Sequence, residues 1–147
     1  ALTGAMLAAQ VIRSALEGDG CNLKALWPYN RNWFVNRGAH FAALSALKDI
    51  LQDLSHEEIA FLMRKDIMSG EMLTPTINGM FEAPDMPTML KTLASGISRP
   101  RLLMRLNKAT TLGRKIFKHY RKYPETWDRA AYRQWVEQTE KLFAKIS

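Results

Sequence analysis

The segment Pro100-Arg-Leu-Leu-Met-Arg-Leu-Asn-Lys-Ala-Thr-Thr-Leu-Gly-Arg-Lys-Ile-Phe-Lys-His-Tyr120 has the periodicity of an amphipathic α-helix. Its apolar and small residues recur at intervals of three and four, which predicts one buried helix face. That face comprises Leu102, Leu103, Leu106, Ala109, Thr110, Gly113, Ile116, Phe117 and Tyr120. Pro100 is suited to the first turn, where its missing N–H would have no intrahelical partner. The segment therefore predicts a helix that begins at Pro100 and buries one side.

The same periodicity extends to the first third of the chain. It predicts a helix from Leu2 to Leu16, which Gly18 and Gly20 end by adopting left-handed conformations. A second helix is expected over residues 23–54, bent or restarted at Pro28. The apolar stripe of this second helix consists of Phe34, Phe41, Leu44, Leu47, Leu51 and Leu54. Its interior glycine, Gly38, indicates the close approach of another helix.

Further along the chain, Ser55-His-Glu-Glu58 is the sequence of a capping box and predicts a helix through Ile59, Phe61, Leu62 and Met63. Short helices are expected near residues 70–80 and 86–95, where prolines and glycines interrupt the pattern. A final helix is expected from Trp127 to Ile146. It would bury Ala131, Tyr132, Trp135, Val136, Leu142, Phe143 and Ile146.

These patterns predict an all-α fold, an irregular multi-helix domain that spans residues 1–147. The length suffices for one core, and no pattern typical of a strand is present. No apolar run approaches the ~20 residues that span a bilayer. A single cysteine, Cys21, excludes an internal disulfide and agrees with a reducing compartment. We therefore expect a cytoplasmic protein.

Two segments near the start carry a family resemblance. Ala1-Leu-Thr-Gly-Ala-Met-Leu-Ala-Ala-Gln-Val-Ile12 is a helix of small residues, and Leu26-Trp-Pro-Tyr-Asn30 opens the next helical stretch. Together they resemble a junction in flavoproteins of the geranylgeranyl reductase type, which are similar to FixC-like dehydrogenases. In that family a helix of the form A-x-x-S-G-x-x-A-A-E-x-I closes the flavin-binding part, and L-W-x-Y-N opens a helical C-terminal region. The resemblance covers residues 1 to about 75.

The resemblance implies a C-terminal fragment in which residues 1–17 form the last helix of a missing N-terminal flavin domain. The parent enzyme would bind FAD there and saturate isoprenoid double bonds of a prenylated substrate, as in chlorophyll, bacteriochlorophyll or lipid side chains. The chain itself has no G-x-G-x-x-G turn, the arrangement that brings backbone N–H groups to a pyrophosphate, so we expect the fragment alone to be inactive. Two alternatives are a FixC-like electron-transfer dehydrogenase and a non-enzymatic basic module that binds anionic membrane or nucleic acid.

The resemblance also suggests site residues. Thr3 and Gly4, at the start of the first helix, are candidates for a flavin phosphate contact, because a helix N-terminus attracts anions. The aromatic residues within the second segment and just after it are either core anchors or the outer wall of an isoprenoid channel. They are Trp27, Tyr29, Trp33 and Phe34.

Basic residues are concentrated in one segment. Residues 86–124 contain ten lysines and arginines and neither aspartate nor glutamate, although the whole chain has a net charge of only +7. The cations of the 100–122 helix are expected opposite its apolar face, with Arg114, Lys115, Lys118 and Arg121 as candidates to bind anions. They indicate either an ordinary solvated face, a peripheral contact with anionic lipid or a nucleic-acid site. No nucleic-acid-binding motif accompanies them, which argues against the last alternative.

The sequence does not predict a catalytic or metal site. No two of His40, His56 and His119 have the spacing of a helical metal site. Cys21 has neither a base nor a CxxC partner nearby, and capping accounts for Glu58 without chemistry. Nothing in the sequence positions Asp128 for acid or base catalysis. We therefore expect no catalytic residue and no metal ligand in this chain.

Overall fold

The computed structural model describes residues 2–18, 20–65, 74, 77–81 and 99–145, without the side chain of Ile50. Six α-helices and one π-helical segment lie in these residues. They are α1 (Leu2–Glu17), α2 (Leu23–Trp33), the π segment (Phe34–Gly38), α3 (Ala39–Gln52), α4 (His56–Arg64), α5 (Pro100–Tyr120) and α6 (Arg129–Phe143). The described part contains no strand, and the all-α prediction is confirmed. The helices expected near 70–80 and 86–95 lie, except for residues 74 and 77–80, outside the described residues.

The centre of the fold is the contact between α3 and α5. The side of α3 that faces α5 is formed by small residues at helical spacing, Ala39, Ala42, Ala43 and Ala46, all of them buried. Gly113 of α5 lies opposite, and a Cβ there would be 3.4 Å from the carbonyl oxygen of Ala43. The predicted stripe of large residues is therefore wrong in part. Phe41 is 50% exposed, because the side of α3 that faces α5 is formed by alanines. Alanines allow the two helices to approach more closely than phenylalanine would.

Larger side chains fill the two ends of this contact. Near the start of α5, Leu102 packs with residues of α4 and the preceding turn, in a cluster of Leu54, Phe61, Leu62 and Leu102. Further along α5, α6 supplies Leu142 to a second cluster, which comprises Ala42, Ala46, Leu112, Ile116 and Leu142. Helices α4 and α6 thus cover different portions of the α3–α5 pair. The predicted start of α5 at Pro100 is confirmed.

Helix α1 packs on α2. Val11 and Ala15 are its buried residues, and Gly4 lies against the indole of Trp33, whose Cζ3 would be 3.3 Å from a Cβ at position 4. The helix ends as predicted, but only one of the two expected glycines is left-handed. Gly20 has φ +85° and donates its N–H to the carbonyl of Ala15, whereas Gly18 does not have a positive φ.

The second helical stretch is irregular at a different place from the one predicted. Pro28 lies inside α2, and the departure from α-helical geometry occurs in the π segment, where the Ala39 N–H bonds to the Phe34 carbonyl five residues earlier. A Cβ at Gly38 would be 3.0 Å from Cδ1 of Phe34. The atoms nearest to a Cβ at position 38 therefore belong to a ring of the same helical stretch, although α5 also contacts the π segment.

Capping side chains set the starts of two helices. The capping box at α4 is confirmed, since Oε2 of Glu58 accepts from the Ser55 N–H at 2.9 Å and Oγ of Ser55 accepts from the Glu58 N–H at 3.2 Å. Asp128 caps α6 by accepting from the Ala131 N–H at 2.7 Å. The predicted start at Trp127 is therefore too early. Ala131, predicted to be buried, is exposed in the first turn.

Candidate functional site

An aromatic cluster joins α2 and the π segment to the C-terminal part of the chain. It consists of Trp27, Phe34, Tyr120, Tyr123, Trp127, Tyr132 and Trp135. Trp27 is only 3% exposed, and its ring lies 5.1 Å from that of Tyr123 and 5.0 Å from that of Trp127. Its indole N–H donates to the carbonyl of Pro124 at 2.9 Å. Trp27 thus anchors the turn between α5 and α6.

Phe34 and Tyr123 form another ring pair within the aromatic cluster. Their rings stack at 4.8 Å, and Phe34 also contacts Tyr120 and Trp135. Burial, with a smaller effect from neighbouring Tyr132, raises the pKa of Tyr123 to about 12. Burial also raises the pKa of Tyr120. Both phenols are therefore neutral at physiological pH and serve as packing groups rather than proton carriers.

Of the four aromatic residues suggested for substrate binding, the structure brings two together. Trp27 and Phe34 both contact the ring of Tyr123. Trp33 lies against Gly4 of α1 instead. Tyr29 is half-buried on α2. These contacts account for Trp27 and Phe34 as core anchors, and a channel wall at these four residues stays a prediction.

The start of α1 does not form an open phosphate cradle. The space next to Gly4 is filled by the Trp33 ring, so the glycine permits helix packing. Thr3 is exposed in the same turn. A flavin contact at Thr3 and Gly4 stays a prediction, and the packing gives no support to it.

Two histidines have structural partners that the sequence did not indicate. Nδ1 of His40 accepts the N–H of Phe81 at 2.9 Å, and the His40 ring packs on Phe117 at 4.9 Å. Because Nδ1 accepts, the proton of the neutral ring is on Nε2. His40 therefore fixes Phe81 over α5, where the Phe81 ring fills the space left by Gly113.

His119 links α5 to α6. Its Nε2 lies 3.1 Å from the carbonyl oxygen of Trp135 and 2.8 Å from Oγ1 of Thr139, and its own carbonyl accepts the Trp135 indole N–H. Burial lowers the pKa of His119, with a smaller contribution in the same direction from Lys122, while the hydrogen bond to Trp135 opposes them. The ring is therefore neutral at pH 7 and donates from Nε2 to a carbonyl. These hydrogen bonds join α5 to α6 and give His119 a structural role.

The cations of α5 serve two different purposes. Near its start, Arg99 pairs with Glu57 at 3.5 Å and Arg105 with Glu58 at 3.6 Å, which ties α5 to α4. Further along, Lys115 and Lys118 are exposed, as predicted for the side opposite the apolar face. Arg121 is also exposed and lies over the Phe117 ring at 5.8 Å.

Arg114 differs from the other candidates for anion binding because it is half-buried and has an interaction partner. The predicted set of Arg114, Lys115, Lys118 and Arg121 therefore divides into two exposed lysines and two arginines that also contact the protein. Anion binding by this set stays a prediction.

Among the described residues, no group of three or more His, Cys, Asp or Glu side chains is arranged to hold a metal ion. In the same part of the chain, no helix is both long and apolar enough to cross a membrane. Cys21 is exposed.

No protein-family model matches the chain. A comparison with curated proteins finds a relative. The chain is 29% identical over 127 residues to a digeranylgeranylglycerophospholipid reductase of Sulfolobus acidocaldarius. The match includes 86% of this chain but only 28% of the reductase. The similarity supports a family like the geranylgeranyl reductases, in agreement with the resemblance of residues 1–75.

Proposed function

We propose that this chain is the helical C-terminal part of an FAD-dependent reductase that saturates isoprenoid double bonds. The observation that carries the proposal is the match of 86% of the chain to a digeranylgeranylglycerophospholipid reductase. Since the match includes only 28% of that protein, the proposal assigns FAD binding and the chemical step to the rest of the polypeptide. The flavin would supply hydride to the double bond.

The packing of α1 supports an attachment to such a part. One side of α1 is buried against α2, and the other side carries the large apolar residues Leu2, Met6, Ile12 and Leu16, which are between 45% and 75% exposed. The exposed ion pair of Arg13 and Glu17 lies beside them. Several large apolar residues exposed on one helix are typical of a surface that packs on another body. We infer that the outer side of α1 packs on the flavin-binding part, which agrees with assigning residues 1–17 to that part.

The described residues support a structural contribution from this chain rather than a chemical one. Trp27 and His119 hold helix contacts together through backbone carbonyls, and Glu58 and Asp128 cap helices. In this proposal, the chain provides folded support for the flavin-binding part of the enzyme.

The test is to express the complete open reading frame that contains this chain. We expect a yellow protein with stoichiometric FAD that, with a chemical reductant, adds two hydrogen atoms to each double bond of a geranylgeranyl lipid, as measured by mass spectrometry. A flavoprotein that instead passes electrons to a quinone and leaves the lipid unchanged would identify the electron-transfer dehydrogenase alternative. A reading frame without a G-x-G-x-x-G turn would contradict the proposal.

A further inference from the structure

The solvent side of α5 carries a line of cations about 30 Å long, at 1.5 Å per helical residue. Arg101, Lys108 and Lys115 are spaced seven residues apart, close to two helical turns, and therefore lie on the same side. Lys118 continues the line, and Lys122 follows in the turn after the helix. We call these residues, Arg101, Lys108, Lys115, Lys118 and Lys122, the basic face. All five are exposed, and the buried residues Leu102, Ala109 and Ile116 each lie about 100° around the helix axis from the cation that precedes them.

The charges of the basic face are not balanced within the described part of the chain. The nearby acids Glu57 and Glu58 pair with Arg99, which precedes the helix, and with Arg105, which lies at the edge of this face. None of the basic-face residues forms an ion pair with a described residue. Cations on neighbouring turns of a helix, such as Lys115 and Lys118, repel each other. An anionic partner would remove this repulsion over the whole line.

We propose that the basic face docks on the surface of an anionic lipid bilayer, with α5 lying along the membrane plane. A plane can engage every cation of a straight line at once, whereas the curved grooves of duplex DNA follow a straight helix for only a few turns. Four of the five cations are lysines. At a bilayer surface, the long apolar stem of a lysine can contact the acyl chains while its ammonium group stays among the headgroups. Arginine, which bonds phosphate in a bidentate manner, would be expected at a nucleic-acid site.

Met104 provides an independent observation in favour of lipid. It lies between Arg101 and Lys108 along the same side of α5 and is 71% exposed. An apolar side chain among cations is typical of interfacial helices, in which it enters the outer part of the bilayer while the cations contact the headgroups. The docking proposal does not depend on the reductase assignment, since it concerns the surface charge and shape of this chain alone.

The experiment is co-sedimentation of the 147-residue chain with two kinds of vesicle, phosphatidylcholine alone and phosphatidylcholine mixed with phosphatidylglycerol. We expect binding only to the anionic vesicles, weakened by added salt because screening lengths shorten. Replacing Lys108, Lys115, Lys118 and Lys122 by glutamine should lower the partition coefficient by about six-hundredfold, at roughly fivefold for each lysine.

A matched control makes the same change in net charge elsewhere. Lys24, Lys48, Lys141 and Lys145 are exposed lysines outside the basic face, and their replacement by glutamine should lower the partition coefficient far less. Circular dichroism melts of both variants separate lost binding from lost folding. Equal losses in the two variants would overturn the proposal, because net charge rather than this face would then control binding.

The position of Met104 gives a second readout. In a Cys21→Ser background, Met104→Cys labelled with an environment-sensitive fluorophore should shift to shorter wavelength on anionic vesicles, as the probe leaves water. An unshifted probe on bound protein would overturn the proposed orientation. Tight binding of duplex DNA without binding of anionic vesicles would overturn the proposal in favour of a nucleic-acid surface, and binding of neither would show that this face is only solvated.

Discussion

Gly113 of α5 and Ala43 of α3 mark the closest approach of the two central helices. A Cβ at Gly113 would lie 3.4 Å from the carbonyl oxygen of Ala43, and the Phe81 ring closes the remaining space with Cε2 at 3.0 Å. The contact therefore has no room for a larger side chain on α5. It also explains why the buried side of α3 consists of alanines, since each larger residue there would separate the helices.

The first prediction concerns this contact. Gly113→Val should lower the free energy of unfolding by about 1–3 kcal/mol, because added methyl groups must displace Phe81 or the α3 backbone. Thr111→Val is the matched control, since Thr111 is exposed on the same helix and its replacement should change stability by less than about 0.5 kcal/mol. Urea denaturation of the two variants provides the measurement. Similar stabilities for both variants would show that α3 and α5 are not in close contact at this point.

The second prediction concerns the indole of Trp27. Trp27→Phe should cost about 1–3 kcal/mol of unfolding free energy, because the partly buried carbonyl of Pro124 loses its donor. Trp127→Phe is a suitable comparison, since this ring belongs to the same aromatic cluster but is only half-buried and forms no hydrogen bond with a described residue. We expect the smaller loss in Trp127→Phe. The opposite order in thermal melts would contradict the anchoring role of Trp27.

The third prediction follows from the lowered pKa of His119, which burial causes. As the pH falls below the ordinary value of 6.5, the unfolded chain takes up this proton before the folded chain does, so the folded state loses stability. The loss ends once the pH is below the folded-state pKa. His119→Gln keeps a donor for the Trp135 carbonyl and should show a smaller loss of stability between neutral pH and pH 5.

Two measurements check the His119 prediction. Thermal melts across this pH range give the slope for the natural chain and for His119→Gln, and equal slopes would show that His119 does not contribute. An NMR titration of the imidazole signals gives the pKa directly. A His119 pKa at or above 6.5 would mean that its hydrogen bond to the Trp135 carbonyl outweighs burial.

Features that depend on a few neighbouring residues could be predicted from the sequence. The start of α5 at Pro100 and the capping box of Ser55 and Glu58 are local chemistry, and both occur as expected. Which residues of α3 become buried does not depend on local sequence alone. Phe41 and Ala42 both lie in helically periodic patterns, and hydrophobicity alone favours the phenylalanine. The outcome depends on Gly113, some seventy residues later, which accepts only small partners.

The functional surfaces show the same division. The charge of α5 could be predicted, because the absence of acids from residues 86–124 is visible in the sequence. Which cations remain solvated could not, since the pairing of Arg99 and Arg105 depends on where α4 packs. The partners of Trp27 also come from residues about a hundred positions away. Its burial is consistent with a core anchor, but the neighbouring rings cannot be read from its local sequence.

The last prediction tests the two sides of α1. In the 147-residue chain, Met6→Gln with Leu16→Gln should leave stability within about 0.5 kcal/mol, because both side chains are exposed. Val11→Gln should be clearly destabilising, since Val11 is buried against α2. In the complete polypeptide, the same double variant should lower both the melting temperature and the retention of FAD, because its side chains would face the flavin-binding part. An unchanged melting temperature and flavin content would show that the outer side of α1 lies in solvent and does not contact the flavin-binding part.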